Sequence, residues 1–218
     1  MEPIKSVQIK DYIAELLRNE IFSAKFSDGN ELTQEIIAEK LGISRMPVRE
    51  AFQMLEQEGF LERLPNRHVR VIGVTKANIL HNFCVLSALE TEFASLMLLE
   101  KRAILPVRQA YERYRMSVPQ QGTEKCTERE LEFHRQISLQ LEDKYLLQLH
   151  QKILFGYLTY ALKYAPSKWE FRVTALEEIV GAMENNQRTV LHDKFDAYYT
   201  EIAQSMIKGL KRERSEPD

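Results

Sequence analysis

Two sets of side chains in this 218-residue sequence have types and spacing suited to chemistry. The first is Arg45, Arg49 and Gln53, set four apart in RMPVREAFQMLEQ. At about 100° per residue they fall on one stripe of a helix, and Val48, Ala51, Phe52 and Leu55 fall on another face that must be buried. Guanidinium groups one turn apart suit a duplex, since one can fork onto guanine O6 and N7 while the other holds a phosphate. A surface helix with two solvated arginines is the plain alternative, and the neighbouring residues argue against it. Ser44 is placed to cap this helix, its hydroxyl accepting a first-turn N–H. Pro47 falls in the same turn, where its missing N–H costs no helical bond. The second set is Glu130 and His134, one turn apart in TERELEFH. That spacing puts a carboxylate and an imidazole on one face, geometrically able to share a metal. Two ligands from one helix do not make a tight site. Thr127 and Glu130 also fit a capping box, and a buried, hydrogen-bonded His134 lining a polar cavity outweighs a metal ligand.

The elements that must position these groups follow from periodicity. A short helix over about 33–41, the turn Gly42-Ile43-Ser44 and a second helix from Arg45 to about Glu58 give a helix-turn-helix, whose second helix enters the major groove. Phe60–Leu64 and His68–Ile72 alternate around a polar tip at Pro65-Asn66-Arg67, as two strands of a wing. A packing helix over 7–23 precedes them, with Ile9, Tyr12, Ile13, Leu16, Leu17 and Ile21 at spacings of three and four. Ser27-Asp28-Gly29-Asn30 is a turn cluster. From Lys76 onward no strand pattern occurs. Helices over 76–101, 106–116, 127–141, 145–164, 167–184 and 187–210, with a loop at 117–122, make a six-helix antiparallel bundle. Tyr157, Tyr160 and Tyr164 form a stripe of the kind that builds core. His150 and His192 are expected on the surface, and an exposed, salt-bridged Arg172 is the default.

The fold class is therefore mainly α: an N-terminal winged helix-turn-helix over 1–74, an all-helical domain over 75–213, and a frayed tail at 214–218. Hydrophobic content of 44% and charged content of 28% are those of a soluble globular chain. A net charge of −2 excludes a wholesale nucleic-acid coater, so DNA contact must come from a local basic face. Cys84 and Cys126 have no metal spacing, and reduced thiols in a cytoplasmic protein are the simplest expectation. No run of about 18 apolar residues marks a membrane span.

The stretch Gly42-Ile43-Ser44-Arg45-Met46-Pro47-Val48-Arg49-Glu50-Ala51, with Gly29, Leu32, Ala38, Leu41, Leu55 and Glu58-Gly59 around it, resembles the DNA-binding domain of the GntR family of bacterial transcription regulators. The match spans about a third of the chain. The resemblance implies a winged helix that binds a palindromic operator as a homodimer. Ser44, Arg45, Met46, Pro47 and Arg49 would touch DNA, with Thr33 and Glu35 near the backbone. In the wing this chain has Pro65-Asn66-Arg67-His68 where the family usually has glycine after Pro-x-Arg, and Arg67 and His68 would reach phosphates instead.

The helical domain resembles the shorter FadR-type, or FCD, sensing domain through its helix count, Leu89-Glu90 and Phe133-His134. Many such domains carry Asp-x-x-Phe-His and two later histidines that hold a divalent metal and, on it, a carboxylate effector. Here Glu130 replaces the aspartate, and the later positions fall at about Leu176 and Tyr198. Such a degenerate set (Glu130, His134, Leu176, Tyr198) implies no metal and no other cofactor. Glu130, His134, Tyr157, Arg172 and Tyr198 remain candidates for a small-molecule effector pocket. A metal-dependent helical-bundle enzyme is the rival from another class. It lacks a second ligand helix, a nucleophile motif and a phosphate loop, so no enzyme is expected. The expected function is a DNA-binding transcription regulator, a repressor, modulated by an effector.

Overall fold

The computed structural model describes residues 9–23, 25–118, 123–164 and 169–213. The expected tail at 214–218, most of the loop at 117–122, and positions 167–168 of the fifth bundle helix lie outside the described residues, as does the side chain of Tyr164. Two compact units result, the first reaching Thr75 and the second covering Lys76–Lys211.

The first unit runs α1 (Ile9–Phe22), β1 (Glu31–Leu32), α2 (Gln34–Leu41), α3 (Arg45–Gln57), β2 (Leu61–Arg63) and β3 (Val69–Val71). α1 packs on α3 and buries Ile13, Ala14, Leu17, Ile21 and Phe22. Ile9 and Tyr12 depart from expectation, each 61% exposed, because the covered stripe begins only at Ile13, one turn into the helix. Arg18 forks onto Glu58 at 2.6 and 2.7 Å, tying α1 to the end of α3. Thr33 starts α2, its Oγ1 accepting the N–H of Ile36. Gly42 ends α2 at φ 64°, and its N–H reaches the carbonyls of Ala38 and Glu39. That left-handed stop, which glycine adopts without steric cost, sets the sharp turn into α3.

The sheet has order β1-β3-β2, with both pairings antiparallel. β1 was not anticipated, since two residues are too few to show alternation. At the wing tip the Arg67 N–H donates to the Leu64 carbonyl and the Leu64 N–H to the His68 carbonyl. Three residues thus close the hairpin, the last in the left-handed region. That last residue is Arg67, at φ 68°, where glycine would be unstrained.

The second unit holds α4 (Lys76–Leu99), α5 (Leu105–Ser117), α6 (Thr123–Leu139), α7 (Lys144–Ile153), a π-helical turn (Leu154–Leu158), α8 (Thr159–Tyr164), α9 (Trp169–Glu184) and α10 (Arg188–Glu213). α5 packs along α6 and α9, and α6 lies against α4, α7 and α8. The expected single helix over 145–164 is interrupted. Asp143 caps α7 through the N–H groups of Tyr145 and Leu146, and Gly156, at φ −90° and ψ −110°, breaks the ladder inside the π-helical turn. α6 begins at Thr123, four residues before the expected start, so Thr127 lies inside the helix and the expected capping box does not exist. Among the described residues α4 alone is long and apolar enough to cross a membrane. Half of its apolar window is buried within the protein, and Glu90 in its interior is fully buried and hydrogen-bonded to His134, which marks a core helix.

Candidate nucleic-acid interface and buried polar cluster

α3 is amphipathic in the manner its sequence demands. Val48, Ala51, Phe52 and Leu55 have no exposed surface, while Arg45, Met46, Arg49 and Gln53 face solvent. Burying four such side chains anchors the helix by several kcal/mol, at roughly 1.5–3 kcal/mol for each large one. The solvent face is therefore free to carry charge. Arg45 is held by Glu35 of α2 at 2.8 Å, with both side chains more than half exposed. Met46 is 61% exposed beside it. Thr33 caps α2 on the same helix-turn-helix, whose N-terminal turns also carry Glu35 and Ser44.

Ser44 corrects one expectation. It stands at the N-cap with extended backbone (φ −73°, ψ 159°), yet its side chain makes no capping hydrogen bond. One of the cap's two usual donors is missing: the N–H of the third helical residue, which here is Pro47. In the wing Arg67 is exposed at the tip, and His68 Nδ1 lies 3.3 Å from Glu31 while its N–H donates to Asn66 Oδ1. These two side chains sit on the wing and not on α3. The unit thus presents an exposed helix face carrying Arg45, Arg49 and Gln53 and an exposed hairpin tip carrying Arg67.

Residues 9–71 match the model described as bacterial regulatory proteins, gntR family. This winged helix is a GntR-family domain. An uncharacterised helix-turn-helix transcriptional regulator of Agrobacterium vitis is 34% identical over 79 residues, 36% of this chain and 46% of the relative. The chain thus spans about half the length of that curated relative. Among solved structures, the Listeria monocytogenes protein Lar, titled as controlling expression of the agr system, superposes with a TM-score of 0.71 at 13% identity, over 94% of this chain and 99% of that one. A Rhodococcus protein titled a putative GntR transcriptional regulator gives 0.63 at 18%, over 91% and 97%. Those two likenesses show that the fold extends through the helical unit.

The helical unit hides a second concentration of polar groups. Glu90 of α4 accepts from His134 Nδ1 of α6 at 2.9 and 3.0 Å and from His150 Nε2 of α7 at 2.8 Å. His150 Nδ1 lies 2.8 Å from Ser138 Oγ. On the other side of the His134 ring, Nε2 is 2.9 Å from Tyr198 Oη of α10, and Tyr198 donates to Glu130 Oε1 at 2.8 Å. Tyr199 Oη reaches His134 Nδ1 at 3.0 Å. Arg172 of α9 brings Nη1 to 2.8 Å from Glu130 Oε2, out of line for a hydrogen bond, and stacks its guanidinium 3.9 Å above the Trp169 ring. Glu90, Glu130, His134, His150 and Tyr198 have no exposed surface, and Arg172 is 1% exposed.

Burial alone would raise the Glu90 carboxyl, but the charge and hydrogen bonds of His134, then His150, bring it down to about 2. Glu130 goes the other way, raised by burial against the lowering pull of Arg172 and His134. Tyr157, on the π-helical turn, has its phenol pushed up to about 12 by burial.

Of the residues singled out from sequence in this unit, Glu130, His134, Arg172 and Tyr198 converge. Two expectations are corrected here: His150 is wholly buried, and so is Arg172. Each is drawn inward by a buried carboxylate that the spacing argument did not pair with it. His192 is exposed as expected. Leu176 is buried and apolar. Glu90 had a legible signal, since a carboxylate within the apolar run of α4 must find partners when buried. Sequence did not say which partners.

A divalent metal at the positions the resemblance suggests fits poorly. Glu130 Oε1 and His134 Nε2, the two atoms a metal would join, both meet the Tyr198 hydroxyl, and the guanidinium of Arg172 stands beside the same carboxylate. Among the described residues no three His, Cys, Asp or Glu side chains are arranged to hold a metal ion. A cavity of about 220 Å³ in this unit lies elsewhere, between Leu80, Phe83 and Cys84 of α4 and Asp196, Tyr199, Thr200 and Ala203 of α10.

Proposed function

We propose that this protein is a cytoplasmic, dimeric transcription regulator of the FadR/FCD type, a repressor that binds a palindromic operator and releases it when a small molecule binds the helical unit. The observation that carries the reading is the two-faced α3, with four residues sealed beneath and Arg45, Met46, Arg49 and Gln53 turned outward. Arg49 takes a guanine edge, Arg45 leaves Glu35 for a phosphate, and Ser44, Pro47, Thr33 and Glu35 line the approach to the backbone. Arg67 and His68 meet phosphates from the wing. Two copies read adjacent half-sites, and effector binding shifts the population away from the spacing the operator needs. Selection of binding sites from random duplexes tests this: a palindrome should be enriched, and Arg45→Ala and Arg49→Ala should abolish the enrichment. Recovery of no two-fold symmetric sequence at low salt would sink the reading.

A second reading keeps the fold but makes the helical unit a dimerisation module alone. It is favoured by the buried cluster, whose members largely satisfy one another. A metabolite screen by thermal shift separates the two, because a ligand of the folded state must raise the melting temperature.

A further inference from the structure

The line Glu130–Tyr198–His134–Glu90–His150 crosses four helices through hydrogen bonds of 2.8 to 3.0 Å. Glu90 orients His134 through Nδ1 as a carboxylate orients a metal-bound imidazole. The outward nitrogen nevertheless meets a phenol. Tyr198 carries a single hydroxyl proton and has two neighbours, Glu130 Oε1 and His134 Nε2. One additional proton, on either neighbour, completes both hydrogen bonds. With it, and with the Ser138 hydroxyl donating to His150 Nδ1 so that this ring adds no charge, two carboxylates (Glu90 and Glu130), one guanidinium (Arg172) and one proton sum to zero charge, the condition a buried polar centre needs. A divalent cation would have supplied the same two positive charges.

We propose that the Arg172 guanidinium and a proton shared along Glu130–Tyr198–His134 take the place of a divalent metal at the centre of the helical unit. Arg172 and Tyr198 are thus positioning residues that hold α6, α9 and α10 together. The assignment stands on buried contacts inside one unit and does not depend on how α3 meets DNA. Among the described residues Arg172 Nε and Nη1 have no hydrogen-bond partner despite being buried, as expected of a group held for its charge and its stacking on Trp169.

The test compares the full-length protein with an Arg172→Leu/Tyr198→His double variant. The native chain, purified without chelator, should carry well under about 0.1 equivalent of Zn²⁺, Mn²⁺, Fe or Ni²⁺ by elemental analysis, and EDTA or added Zn²⁺ should move its melting temperature by less than about 1 °C. The double variant removes the built-in cation and places an imidazole where the phenol was, beside Glu130 and His134. It should take up about one Zn²⁺ per chain, with a melting temperature that rises several degrees on loading and falls again with EDTA. About one tightly held metal per native chain, with destabilisation by EDTA, would overturn the proposal. So would a folded double variant that binds no metal. Should the double variant not fold, the native measurements decide alone.

Discussion

On α3 the charged groups stand in water above an apolar underside, whereas in the helical unit they are sealed among α4, α6, α7, α9 and α10. The difference lies in what holds each arginine. Arg45 shares one ion contact with Glu35, both more than half exposed, so water weakens the pair and leaves it easy to break. Arg172 has its pairing with Glu130 and its stacking on Trp169 with no water to replace either. An exposed pair can be exchanged for a phosphate at small cost. A buried one cannot be parted without leaving an uncompensated charge, so it fixes the structure around it.

The sharpest way to break the comparison is at Glu90. Glu90→Leu strips the shared acceptor from His134 and His150 and should destabilise folding by about 3–5 kcal/mol in chemical denaturation, against less than about 0.5 kcal/mol for Glu35→Leu on the surface. A similar loss for both would erase the distinction. The same carboxylate predicts acid sensitivity. Its pKa is lowered from 4.5 to about 2, so its stabilisation is present above about pH 4.5 and disappears as pH falls toward 2. Denaturant midpoints measured between pH 6 and 2 should drop through that window, and less steeply in Glu90→Gln.

Next in size comes Arg49→Ala, which should weaken operator binding by about 1–3 kcal/mol and relax base preference while leaving stability within about 0.5 kcal/mol. Arg67→Gly should separate folding from recognition. Relief of the left-handed strain stabilises the unit by about 0.5 kcal/mol after glycine's entropic cost, while DNA affinity falls with the lost cation. Smallest is Glu35→Gln, which frees Arg45 and should tighten non-specific duplex binding about two- to five-fold at low salt, fading as salt rises.

Much of the first unit was legible because its signals are local. Gly42, Pro47 and the spacing of Val48, Ala51, Phe52 and Leu55 each constrain a few adjacent residues, and together they admit one arrangement. Where a local signal failed, another local rule bears on it: Ser44 makes no cap bond, and Pro47 removes one of its two usual donors. The buried cluster is of another kind. Glu90 pairs with His150 sixty positions away, and Tyr198 with Glu130 sixty-eight away. No periodicity encodes such partners. Spacing within one helix found Glu130 and His134, and the resemblance found Tyr198, but the burial of His150 and Arg172 follows only from how five helices close on one another.

The unused serine at the head of α3 has a consequence for what that helix end can accept. A helix begun without its side-chain lid keeps its foremost amide hydrogens, and one hydroxyl, at the disposal of an outside oxygen. A backbone phosphate arriving there would supply the cap that the serine does not.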